Sequence, residues 1–220
     1  MCSAEETSKE HAPPQCLFPE ERNIGRDLRK NLVTVPSCDE HNSNKSADDE
    51  FLRAVILAVA VDSNEVAKHQ FLGKFLRGAE RNRDAHSEFF EDMGTISSDT
   101  KRVLKIDRDR FDKCVEHLAR ALFFHTFKSK WSLPIAVVSP NFHLEVTQQG
   151  PVAHLPSQET IEVTRQFLAA EPLLGENPEV FMYRLRFDQS SGMFALAGRF
   201  YEFFEIYCAS SKSLADALAA

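Results

Sequence analysis

An acid and a histidine stand side by side at Glu10-His11, followed by Pro13-Pro14. Further along come Asn31-Leu32 and then Cys38-Asp39-Glu40-His41-Asn42, running into Ser43-Asn44-Lys45-Ser46. Neutral imidazole takes a proton from water near physiological pH, which makes His11 a candidate general base. The carboxylate of Glu10 and the amide oxygen of Asn42 suit one hard divalent cation, Mg2+ or Mn2+, which takes few protein ligands and keeps its waters. His41 is a rival for the Asn42 position, and a hydrogen bond at a helix start is the competing role for Asn42. A base that activates water and a cation that neutralises phosphate charge are together what phosphodiester hydrolysis needs.

At these residues the chain resembles the HNH endonuclease family. In that family a small ββα-metal finger carries an acid-His pair on its first strand, an Asn-Leu on its second, and a Cys-x-x-Cys-Asn or Cys-x-x-Cys-His at the helix start. The resemblance covers about residues 1–53. It implies that His11 is the catalytic base, that Asn31 braces the loop that orients it, and that Glu10 with Asn42 holds the catalytic cation. It implies DNA as substrate. It also implies a structural Zn2+ behind the finger, for which Cys2, Cys38 and His41 are the matching residues, zinc accepting both thiolate and imidazole. The chain departs from the family here: Cys2 has no partner cysteine three positions away, so the first pair is broken. Stand-alone proteins of this kind resemble restriction or phage-defence nucleases, which makes antiviral defence the expected context.

These residues require a strand, a second strand and a helix in that order. Asn31–Pro36 is a β-prone run stopped by proline. From about Asp39 the pattern turns helical, with Phe51, Leu52, Val55, Ile56 and Val59 on one stripe and Asp39 and Glu40 in the first turn. The expected fold is α+β: an N-terminal ββα-metal finger over residues 1–60, then a helical and antiparallel-sheet domain over 61–220. In the second part, Val66–Arg83 and Asp109–Phe127 read as helices. Ile135–Ser139 and Phe142–Thr147 read as strands, and Gln158–Ala170 as a helix capped by Ser157. Val180–Asp188 alternates Phe181, Tyr183, Leu185 and Phe187 against Met182, Arg184 and Arg186. With Met193–Phe200 and Phe203–Ala209 it predicts an antiparallel meander.

The 220 residues are 43% hydrophobic and 27% charged, with a formal net charge of −7. That balance excludes a protein that coats nucleic acid unspecifically. Basic side chains outnumber acidic ones over 66–130, and the reverse holds over 131–220. Arg26, Arg29 and Lys30 add a basic cluster between the two halves of the motif, and Lys45 is a point charge for a phosphate. These four are the candidate nucleic-acid contacts. The acidic C-terminal part suits a partner protein or a second copy of the chain. No apolar run is long enough for a membrane span. The five scattered cysteines are no disulfide framework, which predicts a cytoplasmic setting. Cys114 and Cys208 read as small buried hydrophobes, the aromatic run around Phe123 as core, and His117 and His125 as core or surface histidines. Two other functions fit the same residues: a finger that binds nucleic acid or a partner without cutting, and an RNA-cutting effector.

Overall fold

A computed structural model of the chain describes residues 6–38, 45–75, 106–142 and 158–212. Cys2, His41 and Asn42 lie outside these stretches, as do Asp39, Glu40, Ser157 and most of the strand expected at Phe142–Thr147.

Strands β1 (Ser8–His11) and β2 (Thr34–Ser37) pair antiparallel, with Glu10 opposite Val35 and His11 opposite Thr34. The second strand starts later than its β-prone run predicts. Asn31 takes a positive φ of 50°, a left-handed conformation that a ladder does not accommodate. Pro36 does not stop the strand. It sits inside it, as an edge position tolerates a residue without an N–H. A short helix α1 (Glu21–Ile24) lies between the strands.

Helix α2 (Ser46–Ala60) follows, with Asp48 and Asp49 in its first turn. Its stripe Leu52, Val55 and Ile56 is buried as the periodicity predicts. Helix α3 (Glu65–Gln70) is capped by Asn64, whose Oδ1 accepts from the N–H groups of Val66 and Ala67 at 2.9 and 3.0 Å. It is shorter than the expected Val66–Arg83. At Phe71–Phe75 the chain widens into a π-turn that contains Gly73, and residues 76–83 lie outside the description. Helix α4 (Arg108–Phe127) is capped by Asp107 and ends at Lys128, which adopts a left-handed φ of 56°.

The main sheet has the order β3-β6-β5-β4, all antiparallel, from β3 (Ala136–Val138), β4 (Phe181–Asp188), β5 (Met193–Phe200) and β6 (Phe204–Ser210). Strands β4 to β6 are the expected meander. The fold is therefore mixed α+β, with helices and two antiparallel sheets. The alternation of β4 divides the sheet's faces. Phe187 faces α4 together with Phe194, while Arg184 and Arg186 reach α5 (Gln158–Leu168) and its end through the carbonyls of Ala169 and Phe167. Phe123 sits in an aromatic cluster with Trp131, Phe187 and Phe194, centroids 5.0 to 5.5 Å apart. It is core, and not an exposed platform for bases. Cys114 and Cys208 are buried thiols. One hydrophobic cluster takes side chains from both parts of the chain, from Ala12 and Leu17 through Leu52 and Phe111 to Phe204. Among the described residues no helix is long and apolar enough to cross a membrane.

Because Phe123 is 2% exposed and packed edge-on against Phe187 and Phe194 and tilted against Trp131, we expect Phe123→Ala to cost about 3–5 kcal/mol of stability. Urea unfolding followed by circular dichroism checks this, and a loss below about 1 kcal/mol contradicts the packing assignment.

Candidate functional site

The β1–β2 pair ends in a wall. The N–H of Ala12 donates to the carbonyl of Val33 at 2.9 Å, one step beyond the ladder, and Ala12, Pro13 and Pro14 are buried behind it. His11 is thus the last strand residue before a packed, rigid turn, half-buried and held at the edge of a cleft. The cleft has a cavity volume of about 10 Å³, room for about one water molecule, and is lined by His11, Lys45, Asp48, Asp49, Cys114 and His117, among others. Its walls come from β1, the first turn of α2, and α4.

Lys45, the residue before α2, organises the acids. Its Nζ lies 3.5 Å from Glu10 Oε2 and 3.8 Å from Asp49 Oδ1, and its side chain is only 15% exposed. It is an engaged ammonium. The Ser37 hydroxyl donates to Glu10 Oε2 at 3.4 Å, so the carboxylate is held from its own sheet as well.

Helix α4 docks on the same turn of α2. Arg110 Nε donates to Asp48 Oδ1 at 2.8 Å, and its guanidinium lies 4.5 Å from the ring centre of Phe51. One turn on, the Cys114 thiol donates to the Asp48 carbonyl at 3.7 Å. His117 follows on the same side of α4 and opens onto the cleft.

This environment sets the protonation states. Burial, then the charges of Arg29 and Lys45, hold the His11 imidazole below its ordinary range. The ring is therefore neutral at neutral pH and able to accept a proton. Partial burial and then Lys45 also lower His117. Burial pushes Asp49 up to about 6 against the pull of Lys45, with Glu10 adding to the rise. Burial raises the Cys114 thiol to about 12, so it is no nucleophile.

The remaining candidates stand elsewhere. Asn31 is exposed in the turn before β2. Arg26 pairs with Glu179, and Arg29 donates to the Phe18 carbonyl at 2.9 and 2.8 Å. Lys30 is exposed, its carbonyl accepting from Asn177 at 2.9 Å. Cys38 is buried immediately after β2. So the structure brings together Glu10, His11 and Lys45, and it adds Asp48, Asp49 and His117, which motif reading passed over. The spacing of Lys45 and Asp49, four apart at a helix start, was a usable signal for that pair. Nothing local marked His117.

Oxygen donors from Glu10 and Asp49 facing one shared cation are the chemistry a hard divalent ion accepts. Among the described residues, however, no group of three or more His, Cys, Asp or Glu side chains is arranged to hold a metal ion. No protein-family model, no curated protein and no solved structure matches the chain.

The Asp49 shift has a stability consequence. A carboxyl raised in the folded state contributes most below its unfolded value of about 3.9, and that contribution is lost as pH rises through about 6. We expect Asp49→Asn to melt near the parent protein at pH 4 and progressively above it as pH approaches 7. A difference in melting temperature that stays constant across this window contradicts the assignment.

Proposed function

We infer that the chain is a divalent-metal-dependent endonuclease of the HNH kind that hydrolyses DNA phosphodiester bonds. In this reading the β1–β2 pair and α2 make up its ββα-metal finger. The observation that carries the reading is the meeting of His11, at the end of a strand, with Lys45 and Asp49 of the following helix start in one cleft, Glu10 being joined to it through Lys45. The order strand, strand, helix is the one the motif requires.

His11, neutral and fixed by the turn behind it, accepts the proton of the attacking water. Glu10, with Asn42, would hold Mg2+ or Mn2+, which would supply charge to offset that of the phosphate. Lys45 keeps the Glu10 carboxylate turned toward the cleft and offers a point charge nearby. Asn31 braces the β1–β2 connection, and the exposed Arg26 and Lys30 of that connection are assigned as contacts for a polyanion. A structural Zn2+ on Cys2, Cys38 and His41 belongs to the same family pattern but takes no part in this chemistry. A role in phage defence is the biological context that the resemblance proposes.

One observation favours a second reading, a finger that binds without cutting. The Lys45 ammonium already satisfies Glu10 and Asp49, the position a catalytic cation would contest.

Nicking of supercoiled plasmid separates the two. We expect cutting with Mg2+ or Mn2+, none with a chelator, and a loss of roughly 10²–10⁴-fold in His11→Ala. Cutting that persists in His11→Ala removes the mechanism. An intact plasmid under all conditions supports the binding reading, and cleavage of single-stranded RNA while duplex DNA survives replaces the substrate.

A further inference from the structure

We propose that His117 is a second catalytic imidazole of this cleft, the group that protonates the departing oxygen of the phosphodiester. The proposal rests on the hydrolase reading above and goes beyond it, because His117 comes from α4, outside the strand–strand–helix unit that carries the motif.

Its position is determined by packing. Arg110, Cys114 and His117 lie at i, i+4 and i+7 along one side of α4. The first two engage Asp48, one through the carboxylate at 2.8 Å and the other through the backbone carbonyl at 3.7 Å. Two contacts to one residue fix how α4 is rotated against α2, so the third residue of the stripe is delivered to the cleft that His11 also lines. His117 itself is exposed, whereas its neighbours Leu118 and Ala119 are buried. A core role does not account for it. Neither imidazole makes a hydrogen bond to a side chain or backbone group among the described residues that would commit its ring nitrogens elsewhere.

The chemistry calls for such a group. Hydrolysis moves a proton at each end of the reaction, and in-line attack puts the entering and leaving oxygens on opposite sides of phosphorus. A base at the entering side cannot also reach the leaving side. In the proposed step the water oxygen bonds to phosphorus and gives its proton to His11. The P–O bond to the leaving sugar breaks, its electron pair stays on that oxygen, and the oxygen takes a proton from protonated His117. His11 then releases its proton to solvent and His117 regains one, so the net change is addition of water across one bond. An imidazole held below its ordinary range, as partial burial and Lys45 hold His117, is a ready donor once protonated.

The test compares two leaving groups with the full-length protein and Mn2+: duplex DNA, whose sugar alkoxide needs a proton, and bis(4-nitrophenyl) phosphate, whose phenolate does not. We expect His117→Ala to slow DNA cleavage by about 10²-fold or more while changing the phenyl ester by less than about threefold, and His11→Ala to slow both. Circular dichroism of His117→Ala should match the parent, since the side chain is exposed. Equal losses on both substrates, or no loss on DNA, overturn the proposal and leave the nuclease reading standing. A parent protein inert toward both overturns the two together. If the parent cuts DNA but not the ester, the DNA kinetics decide: a fall in kcat at unchanged KM upholds the proposal, and a change confined to KM overturns it.

Discussion

One ammonium holds the candidate site together. Lys45 lies between the carboxylates of Glu10, on β1, and Asp49, in the first turn of α2. With its side chain 15% exposed, it has given up most of its hydration, a loss that only close negative partners offset. The same pairing sets the distance between strand and helix, and so decides what His11 faces. It also explains why the local ionisations are coupled. Lys45 pulls Asp49 down and both histidines down, while Glu10 pushes Asp49 up. A change at any one of these groups is felt by the rest.

That arrangement would be loose if the N-terminal strands and α2 stood alone. A two-stranded sheet of four-residue strands is marginal in water. Here α4 supplies the missing wall. Arg110 and Cys114 hold Asp48, and Val115 and Leu118 carry the buried stripe that continues into the aromatic cluster on the main sheet. The Tyr201 hydroxyl at the β5–β6 turn donates to the Leu17 carbonyl, tying the loop after His11 to the far sheet. The long C-terminal part thus has at least one structural role, as the support against which the small unit is aimed.

Local patterns were readable wherever periodicity governs. The alternation of Phe181, Tyr183, Leu185 and Phe187 predicts the two faces of β4, and the stripe from Phe111 to Phe123 predicts α4 to within a residue of its start. Glu10 and His11 were readable because they are neighbours in the chain. The role of Asp48 and Asp49, in the first turn of α2, was not, since only tertiary packing brings them to Lys45 and Arg110. Arg26 and Arg29 read as free cations, yet Glu179 and the Phe18 carbonyl engage them from distant points of the chain. His117 was invisible for the same reason: its meaning depends on how two helices cross, and no spacing encodes that.

The charge of the cleft bears on what the proposed reaction requires. Asp48 and Asp49 line it, with Glu10 behind Lys45, against the ammonium of Lys45 and a guanidinium of Arg110 that is already committed to Asp48. A phosphodiester brings another negative charge into a partly desolvated space, where like charges repel far more strongly than in water. The neutral His11 imidazole does nothing to offset it. For this wall of the cleft to accept a phosphate, positive charge must arrive with the substrate, and a hydrated divalent cation shared by carboxylate and phosphate oxygens is the smallest entity that supplies it. In the proposed reading, such an ion would compete with Lys45 for the carboxylates of Glu10 and Asp49. In that reading the ammonium, now a partner of two acids, would become available to the incoming phosphate.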